Sequence, residues 1–283
     1  MSLFPELEPS PPDRDRKIVI GTSGYSFADW VGPFYPSGTK PGDFLSYYAR
    51  SFDAVEVNAS HYRVPDAAMF ERMVRKTPDG FRFVVKLYQG MTHEQSLEPA
   101  LYREFLAALA PLKQAGRYDG LLAQFPWGFK RTDANRQHLA AMRERLGAEP
   151  LFVEFRHDSW LTPELEPSLR EHHIGYCAVD EPGLPGLLPP VTMVTAEDAY
   201  VRFHGRNAET WWGRGAEGGR GQPGDRYDYD YKADELKEWV KKVAELAEQA
   251  RRTYLFFNNC HAGQAARNAK LMQELLRQQN LPA

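Results

Sequence analysis

The residues of this chain that could do chemistry stand inside short apolar runs. In the stretch LFVEFRHDSW, which begins at residue 151, an extended backbone places Glu154 and Arg156 on one face and Val153 and Phe155 on the other. A carboxylate can act as a general acid or base, and a guanidinium fork suits phosphate or carboxylate. Because an unpaired buried ion is costly, this charged face either reaches water, forms internal ion pairs, or belongs to a site.

Polar residues interrupt the other apolar runs in the same way. We take three residues as candidates for catalysis: Glu154 as an acid or base, His204 as its counterpart, and Lys86 as a cation that stabilises developing negative charge. Arginine is frequent in the set, so the expected ligand is a small phosphorylated or otherwise anionic molecule. The candidates for ligand binding are Glu56, Asn58, Gln124, Arg156, Asp180, Arg202, Arg206, Asn258 and Asn259.

Eight short runs have the length and the valine, isoleucine and aromatic content of β-strands. Seven segments with helical patterns lie between or after them, although the connection between the sixth and seventh runs is rich in proline and irregular. The strand candidates are KIVIG near residue 17, DAVEVN near 53, FRFVVKLY near 81, GLLAQF near 120, LFVEFR near 151, IGYCAVD near 174, YVRFHG near 200 and YLFFNN near 254.

Alternation of strands and helices implies parallel strands, and eight such units in about 250 residues is the size of a closed (β/α)8 TIM barrel. An open doubly wound sheet is the alternative, but no G-x-G-x-x-G follows the first strand. Among the helices, we expect Asp43 and Asp66 as N-caps, and Gly116 and Gly147 at C-terminal ends.

Barrel geometry then predicts where the polar residues lie. Alternate strand residues face the surrounding helices or the barrel interior, and the polar ones stand near the C-terminal ends of their strands, where TIM-barrel active sites lie. A purely structural alternative pairs Glu154 with Arg156 or Arg202, and Glu56 with Lys86, so that the ions only fill a layer of the barrel. Polar groups on at least six strands favour a ligand site at this mouth.

The chain has 283 residues, and its 35 basic and 38 acidic residues give a formal charge of 35 minus 38, or −3. This charge does not support nucleic acid as a partner, although it leaves one possible. Cys177 and Cys260 are too few for a disulfide framework, and no apolar run approaches the roughly 20 residues that span a bilayer. We expect a cytoplasmic protein with no membrane partner, a flexible extension over 1–16 and one barrel domain over 17–283.

A long connection follows the seventh strand, over residues 205–231. It contains seven glycines, four arginines and five aromatic residues, and it is too long for an ordinary connector. Three interpretations are open: a lid that brings Arg214 or Arg220 to an anion, a groove that stacks bases on Trp211 and Trp212, and a surface loop without a role in the site.

The chain also resembles a known family, the TIM-barrel proteins grouped as domain of unknown function 72. The resemblance runs from about Ile18 to Leu276 and implies a (β/α)8 barrel but no reaction. The family more often has threonine and phenylalanine at the positions of Ser60 and His61, and often aspartate at that of Cys260. The motifs that carry it are GTSGYSFADW, VEVNASHYR, VKLYQGMTH, LLAQFPWGF, VEFRHDSW, YVRFHGR and FFNNCHAGQAARNA.

Three functional hypotheses follow from these residues. The first is an enzyme that acts on an anionic ligand at the mouth, and the second is a metal-assisted phosphodiesterase or nucleic-acid-processing protein. The third is a non-catalytic module that senses a small ligand. The sequence names no cofactor, and we assign no metal site, because no H-x-x-x-H or H-x-H pair occurs and the arginines compete for the carboxylates.

Overall fold

Eight parallel strands form a closed barrel in the order β1 to β8, which confirms the predicted (β/α)8 TIM barrel. The structure is a computed structural model that describes residues 18–213 and 224–281. The predicted extension over 1–16 and the candidate lid residues Arg214 and Arg220 lie outside these ranges. The strands are β1 (Ile18–Ser23), β2 (Ala54–Val57), β3 (Arg82–Lys86), β4 (Tyr118–Gln124), β5 (Leu151–Glu154), β6 (Ile174–Asp180), β7 (Ala199–Phe203) and β8 (Thr253–Phe257).

Helices follow the strands on the outside of the barrel. The connection from β6 to β7, residues 181–198, contains no helix, as its prolines predict. Short 3-10 turns occur at Ala28–Trp30, Pro41–Asp43, Asp158–Trp160, Asp225–Tyr227 and His261–Gly263. The α-helices are α1 (Phe44–Tyr48), α2 (Ala59–Tyr62), α3 (Ala67–Arg75), α4 (Gln89–Thr92), α5 (Pro99–Ala108), α6 (Ala110–Gln114), α7 (Asp133–Leu146), α8 (Leu165–Glu171), α9 (Ala233–Gln249) and α10 (Gln264–Gln278).

The predicted helix ends are confirmed in part. The Asp66 carboxylate accepts a hydrogen bond from the backbone N–H of Met69 at 2.7 Å, as an N-cap does. Gly147 ends α7 with a φ of 63°, a conformation that glycine adopts without strain. Asp43 precedes α1 without a side-chain capping bond, so that part of the prediction is wrong.

The barrel interior is filled by a set of rings that we call the aromatic floor: Phe152, Tyr200, Tyr254 and Phe256. Ring centroids lie 4.7 Å apart for Phe152 and Tyr200, and 5.3 Å apart for Tyr200 and Phe256. Phe152, Tyr200 and Phe256 each precede a polar position by two residues, and Tyr254 precedes Phe256 by two, so the floor lies beneath the polar residues of the mouth.

Glycines on neighbouring strands make room for the aromatic floor. A Cβ at Gly21 would stand 2.2 Å from the carbonyl oxygen of Ala54 and 3.0 Å from the ring of Phe256. A Cβ at Gly175 would stand 2.6 Å from the ring of Phe152. These positions therefore exclude any side chain while the rings keep their places.

In the described part of the chain, no helix is long and apolar enough to cross a membrane.

We expect Gly21→Ala to lower the free energy of unfolding by about 2 kcal/mol or more, because the added methyl group clashes with backbone that cannot move away. Gly42→Ala is the matched control, since a Cβ at exposed Gly42 would meet nothing within 4 Å, and we expect a change within about 0.5 kcal/mol. Urea denaturation of both variants measures the difference. Equal stabilities for the two variants would contradict this account of the barrel interior.

Candidate functional site

Glu154, at the end of β5, is the most heavily contacted carboxylate of the mouth and is fully buried. Its Oε2 accepts a hydrogen bond from Arg202 Nη1 at 2.6 Å, and its Oε1 contacts Arg156 Nε and lies 3.2 Å from His204 Nε2. Burial raises the pKa of Glu154, but Arg156, Arg202 and His204 together hold that pKa well below its ordinary value. Glu154 is therefore an ionised carboxylate and no proton donor near neutral pH.

Arg202 joins two carboxylates across the barrel interior. While Nη1 binds Glu154, its Nη2 donates to Glu56 Oε1 at 2.7 Å and to Ser23 Oγ at 3.2 Å. The other oxygen of Glu56 accepts a hydrogen bond from the Tyr200 hydroxyl at 2.7 Å. With only 1% of Arg202 exposed, one guanidinium compensates two buried negative charges. The structural alternative is right in pairing Glu154 with Arg202 and wrong for Glu56, whose partner is Arg202 and not Lys86.

Arg156 is held by a second carboxylate that sequence reasoning missed. Its Nη1 donates to Glu181 Oε2 at 3.3 Å, and Glu181 Oε1 accepts from the backbone N–H of Leu188 at 3.0 Å. Burial raises the pKa of Glu181 to about 7. Strand alternation could have identified Glu181 from the sequence. Cys177 is directed toward Glu154, and Glu181, four positions later, shares that inner face.

Lys86 is the cation of the mouth that the carboxylates do not hold. It ends β3, is 9% exposed, and among the described residues its Nζ has no hydrogen bond and no carboxylate oxygen within 4.0 Å. Burial first, and then the charge of Arg202, lowers its pKa to about 7. Asn58 comes directly after Val57 of β2, which pairs with Val85, the residue before Lys86. The amine of Lys86 is thus close to half neutral at pH 7.

His204 lies between an amide and a carboxylate. Its Nδ1 accepts from Asn258 Nδ2 at 3.1 Å, which leaves the proton on Nε2, facing Glu154. Burial lowers the pKa of His204 to about 3, so the ring is neutral. Gln124, in register with Glu154, donates to the carbonyl oxygen of Phe125 at 2.7 Å.

Two further histidines lie beside Lys86. The ring centroids of His61 and His93 are 5.0 Å apart, and His61 Nδ1 lies 3.2 Å from the carbonyl oxygen of Leu87. Burial, and then the charge of Lys86, lowers the pKa of each histidine to about 4. Both are therefore neutral imidazoles at physiological pH.

Six residues thus meet at the mouth, and we call them the mouth cluster. Asn58, Gln124 and Asn258 border it, and these nine residues are all candidates that the sequence suggested. The mouth cluster consists of Glu56, Lys86, Glu154, Arg156, Arg202 and His204.

Asp180 is a correction to the expected placement, because its side chain lies outside the barrel. It is in register with Phe203, and its carboxylate accepts hydrogen bonds from Trp239 Nε1 at 2.6 Å and from the Tyr231 hydroxyl at 2.6 Å. Successive strand residues point to opposite faces. The prediction assigned Asp180 to the wrong face of β6, because Cys177, and not Asp180, lies on the inner face.

Arg206 and Asn259 are also misplaced by the sequence analysis. Gly205 has a φ of 90°, which turns the chain and directs Arg206 outward, where its Nη2 donates to Asp180 at 2.8 Å. Asn259 follows the inward residue of β8 and so faces outward, where its Nδ2 donates to Asn268 Oδ1 at 2.6 Å. Both residues fasten the segment before α9 rather than line the mouth.

Two buried polar atoms of the mouth, Asn58 Oδ1 and Arg202 Nε, lack a partner among the described residues. Buried polar atoms are normally satisfied, so such exceptions indicate a place where another molecule binds. Glu154 Oε1, Arg156 Nε and His204 Nε2 are not exceptions of this kind, because they contact one another as ion-pair partners.

Tryptophans stand on the rim above Arg156. The ring of Trp211 is buried 5.9 Å from the Arg156 guanidinium, so it is unavailable as a stacking platform. Trp212 is half exposed, and its ring centroid lies 5.4 Å from that of exposed Trp127. Lys130 covers the Trp127 ring at 4.8 Å. The stacking groove proposed for Trp211 and Trp212 together is therefore not formed.

The described part of the chain contains no candidate metal site, and its two clefts lie away from the mouth residues. No group of three or more histidine, cysteine, aspartate or glutamate side chains within 18–213 and 224–281 is placed to hold a metal ion. Two clefts of about 520 and 530 Å³ lie outside the barrel, between α7 and α8 and between α9 and α10, and neither is lined by a candidate site residue.

Comparisons with known proteins agree with this architecture. A family model described as "Protein of unknown function DUF72" matches residues 19–283. The UPF0759 protein YunF of Bacillus subtilis is 34% identical over 271 residues, which cover 92% of this chain and 94% of that protein. A crystal structure of a DUF72 family protein from Thermotoga maritima is 40% identical with a TM-score of 0.84, covering 93% of this chain and 100% of that one. One from Enterococcus faecalis is 29% identical, with a TM-score of 0.80 and coverages of 92% and 95%.

We expect Arg202→Met to lower the free energy of unfolding by about 3 kcal/mol or more, because Glu56 and Glu154 would lose the guanidinium that bridges them. Arg170→Met is the control, since the pair of Arg170 with Glu166 at 2.7 Å is half exposed and contributes only about 0.5 kcal/mol. Chemical denaturation at pH 7 compares them. A loss no larger for Arg202 than for Arg170 would show that the bridge is not needed.

We expect Lys86→Met to stabilise the fold. The pKa of Lys86 falls from an ordinary 10.5 to about 7 on folding, so its protonated form opposes folding fully below pH 7, and the penalty fades as pH rises toward 10.5. The variant should be more stable by about 1 to 3 kcal/mol at pH 7. This gain should vanish near pH 10, as denaturation across that range would measure. A loss of stability at pH 7 would contradict the assignment.

Proposed function

The chain belongs to the DUF72 family, and from this premise we propose that it binds a small phosphorylated or otherwise anionic ligand at the mouth of the barrel, as an enzyme or as a ligand-binding protein. The observation that carries the proposal is the buried ammonium group of Lys86, which has no carboxylate within 4.0 Å among the described residues. A cation in that position is compensated best by an anion that arrives from solution.

The other charges of the mouth are already matched to one another. Arg202 is neutralised by Glu56 and Glu154, and Arg156 by Glu154 and Glu181. These pairs fix the arginines as rigid parts of the wall and keep their carboxylates away from Lys86. An incoming anion therefore meets Lys86 as the one cation of the mouth, among the described residues, that no carboxylate pairs with.

Polar atoms without partners support the same location. Arg202 Nε is a buried donor and Asn58 Oδ1 is a buried acceptor, and neither has a partner among the described residues. A ligand with both an anionic group and a further polar group would satisfy both atoms. Apolar walls and a few convergent polar groups are the usual features of a small-molecule site.

Anion binding at this mouth should be coupled to proton uptake. In the free protein the pKa of Lys86 is about 7, and a bound anion favours the protonated amine and raises that pKa. Between pH 7 and pH 9 the ligand must then bind together with a proton. The alternatives drawn from the sequence, metal-assisted phosphodiester cleavage and action on nucleic acid, gain no comparable observation.

We expect sulfate, used as a probe whose charge does not change in this pH range, to bind more weakly as pH rises above 7. The affinity should fall by up to about tenfold per pH unit, and calorimetry in two buffers should detect uptake of about one proton at pH 8. Glu181, whose pKa is also about 7, acts in the same direction, so Lys86→Met separates the two contributions.

The decisive comparison is between Lys86→Met and Lys241→Met at constant ionic strength. Lys241 is a surface residue with 88% of its side chain exposed, so its loss should leave sulfate binding unchanged. Loss of at least tenfold in sulfate affinity is expected for Lys86→Met alone, since one favourable charge contact is removed. Equal binding by the two variants, or none by the unmodified protein, would refute the anion site.

A further inference from the structure

We infer that Lys86 is a nucleophile that forms an imine with the carbonyl group of a small aldehyde or ketone carrying an anionic group. This inference rests on the proposed function and deepens it, because it names the class of ligand and the covalent step. Here the Lys86 amine forms a covalent bond with the ligand, whereas the proposed function requires only that the Lys86 ammonium group contacts an anion.

The surroundings of Lys86 are those of a reactive amine rather than of an ion-pair partner. Glu56 is occupied by Arg202 and Tyr200, and Glu154 by Arg156, Arg202 and His204. The Nζ atom therefore has no carboxylate within 4.0 Å in the described ranges, and burial keeps 91% of the residue from solvent. An amine that is neither paired nor well hydrated releases its proton easily.

Every element packed around Lys86 contributes to this state. Arg202 from β7 and Arg156 from the connection after β5 disfavour its protonated form, while Glu56 from β2 and Glu154 from β5 oppose them. The neutral imidazoles of His61 and His93 add no charge from the loops after β2 and β3. The balance leaves the pKa of Lys86 at about 7, so a large neutral fraction is available to attack a carbonyl carbon.

The step balances without a further reagent. The Nζ lone pair forms a bond to the carbonyl carbon, and the carbonyl π electrons move to oxygen, which takes a proton to give a carbinolamine. The nitrogen loses one of its two protons, the hydroxyl leaves with one added proton as water, and an iminium ion remains. In sum, one amine, one carbonyl compound and one proton give one iminium ion and one water.

Polar groups beside Lys86 suit this sequence of proton transfers. His61 Nδ1 faces the carbonyl oxygen of Leu87 and so carries the proton, which leaves Nε2 as an acceptor. Asn58 Oδ1, buried and without a partner among the described residues, can accept a hydrogen bond from the carbinolamine hydroxyl. Arg202 Nε remains as a donor for the anionic group.

Reductive trapping tests the inference on the unmodified full chain. Glyoxylate, an aldehyde with a carboxylate, is incubated with the protein and cyanoborohydride at pH 7.5, and the modified lysines are identified by peptide mass mapping over time. Lys86 should be modified about tenfold faster than Lys241 or Lys237, because far more of its amine is neutral at this pH. The rate at Lys86 should level off above pH 7 to 8, because its pKa is about 7.

Propanal, an aldehyde without charge, is the matched probe. Glyoxylate should label Lys86 about tenfold faster than propanal does, and sulfate should protect Lys86 but not Lys241. Labelling of Lys86 no faster than that of Lys241 overturns the imine, and the proposed function survives if sulfate binding still depends on Lys86. Fast labelling with no preference for glyoxylate and no protection by sulfate overturns the anionic ligand, and with it the proposed function.

Discussion

The structure depends on one interaction, the bridge that Arg202 makes between Glu56 and Glu154 at the barrel axis. Two carboxylates on opposite sides of the barrel would repel each other in a region that water barely reaches. The guanidinium binds one with each terminal nitrogen, at 2.7 and 2.6 Å. Because β2, β5 and β7 are tied together in this way, the positions of the other polar side chains follow from it.

The bridge determines which groups of the mouth remain available. Glu154 is fully occupied by Arg202, Arg156 and His204, so it orients its neighbours instead of exchanging protons with a ligand. Lys86 is the residue left out of this arrangement, and the arginines that stabilise Glu154 destabilise the ammonium of Lys86. The proposed nucleophilic reactivity of the Lys86 amine therefore results from the same ion pairs that hold the barrel together.

Much of this arrangement follows from the period of two in the strands. Hydrophobic alternation was enough to predict the barrel and to place Glu154, Arg202 and Lys86 inside it. It fails where a strand ends: parity was misjudged at Asp180, and Gly205 turns Arg206 away with a positive φ. The pairing of Arg202 with Glu56 is a property of the closed barrel, since the two residues are 146 positions apart along the chain and meet only across the barrel interior.

The aromatic floor has a consequence for how molecules move through this protein. The rings of Phe152, Tyr200, Tyr254 and Phe256 fill the barrel beneath the mouth, and glycines such as Gly21 let them pack without gaps. The interior beneath the mouth is thus occupied by side chains and offers no passage along the barrel axis. A ligand bound at Lys86, as we propose, would therefore have to enter and leave on the same side, at the C-terminal ends of the strands.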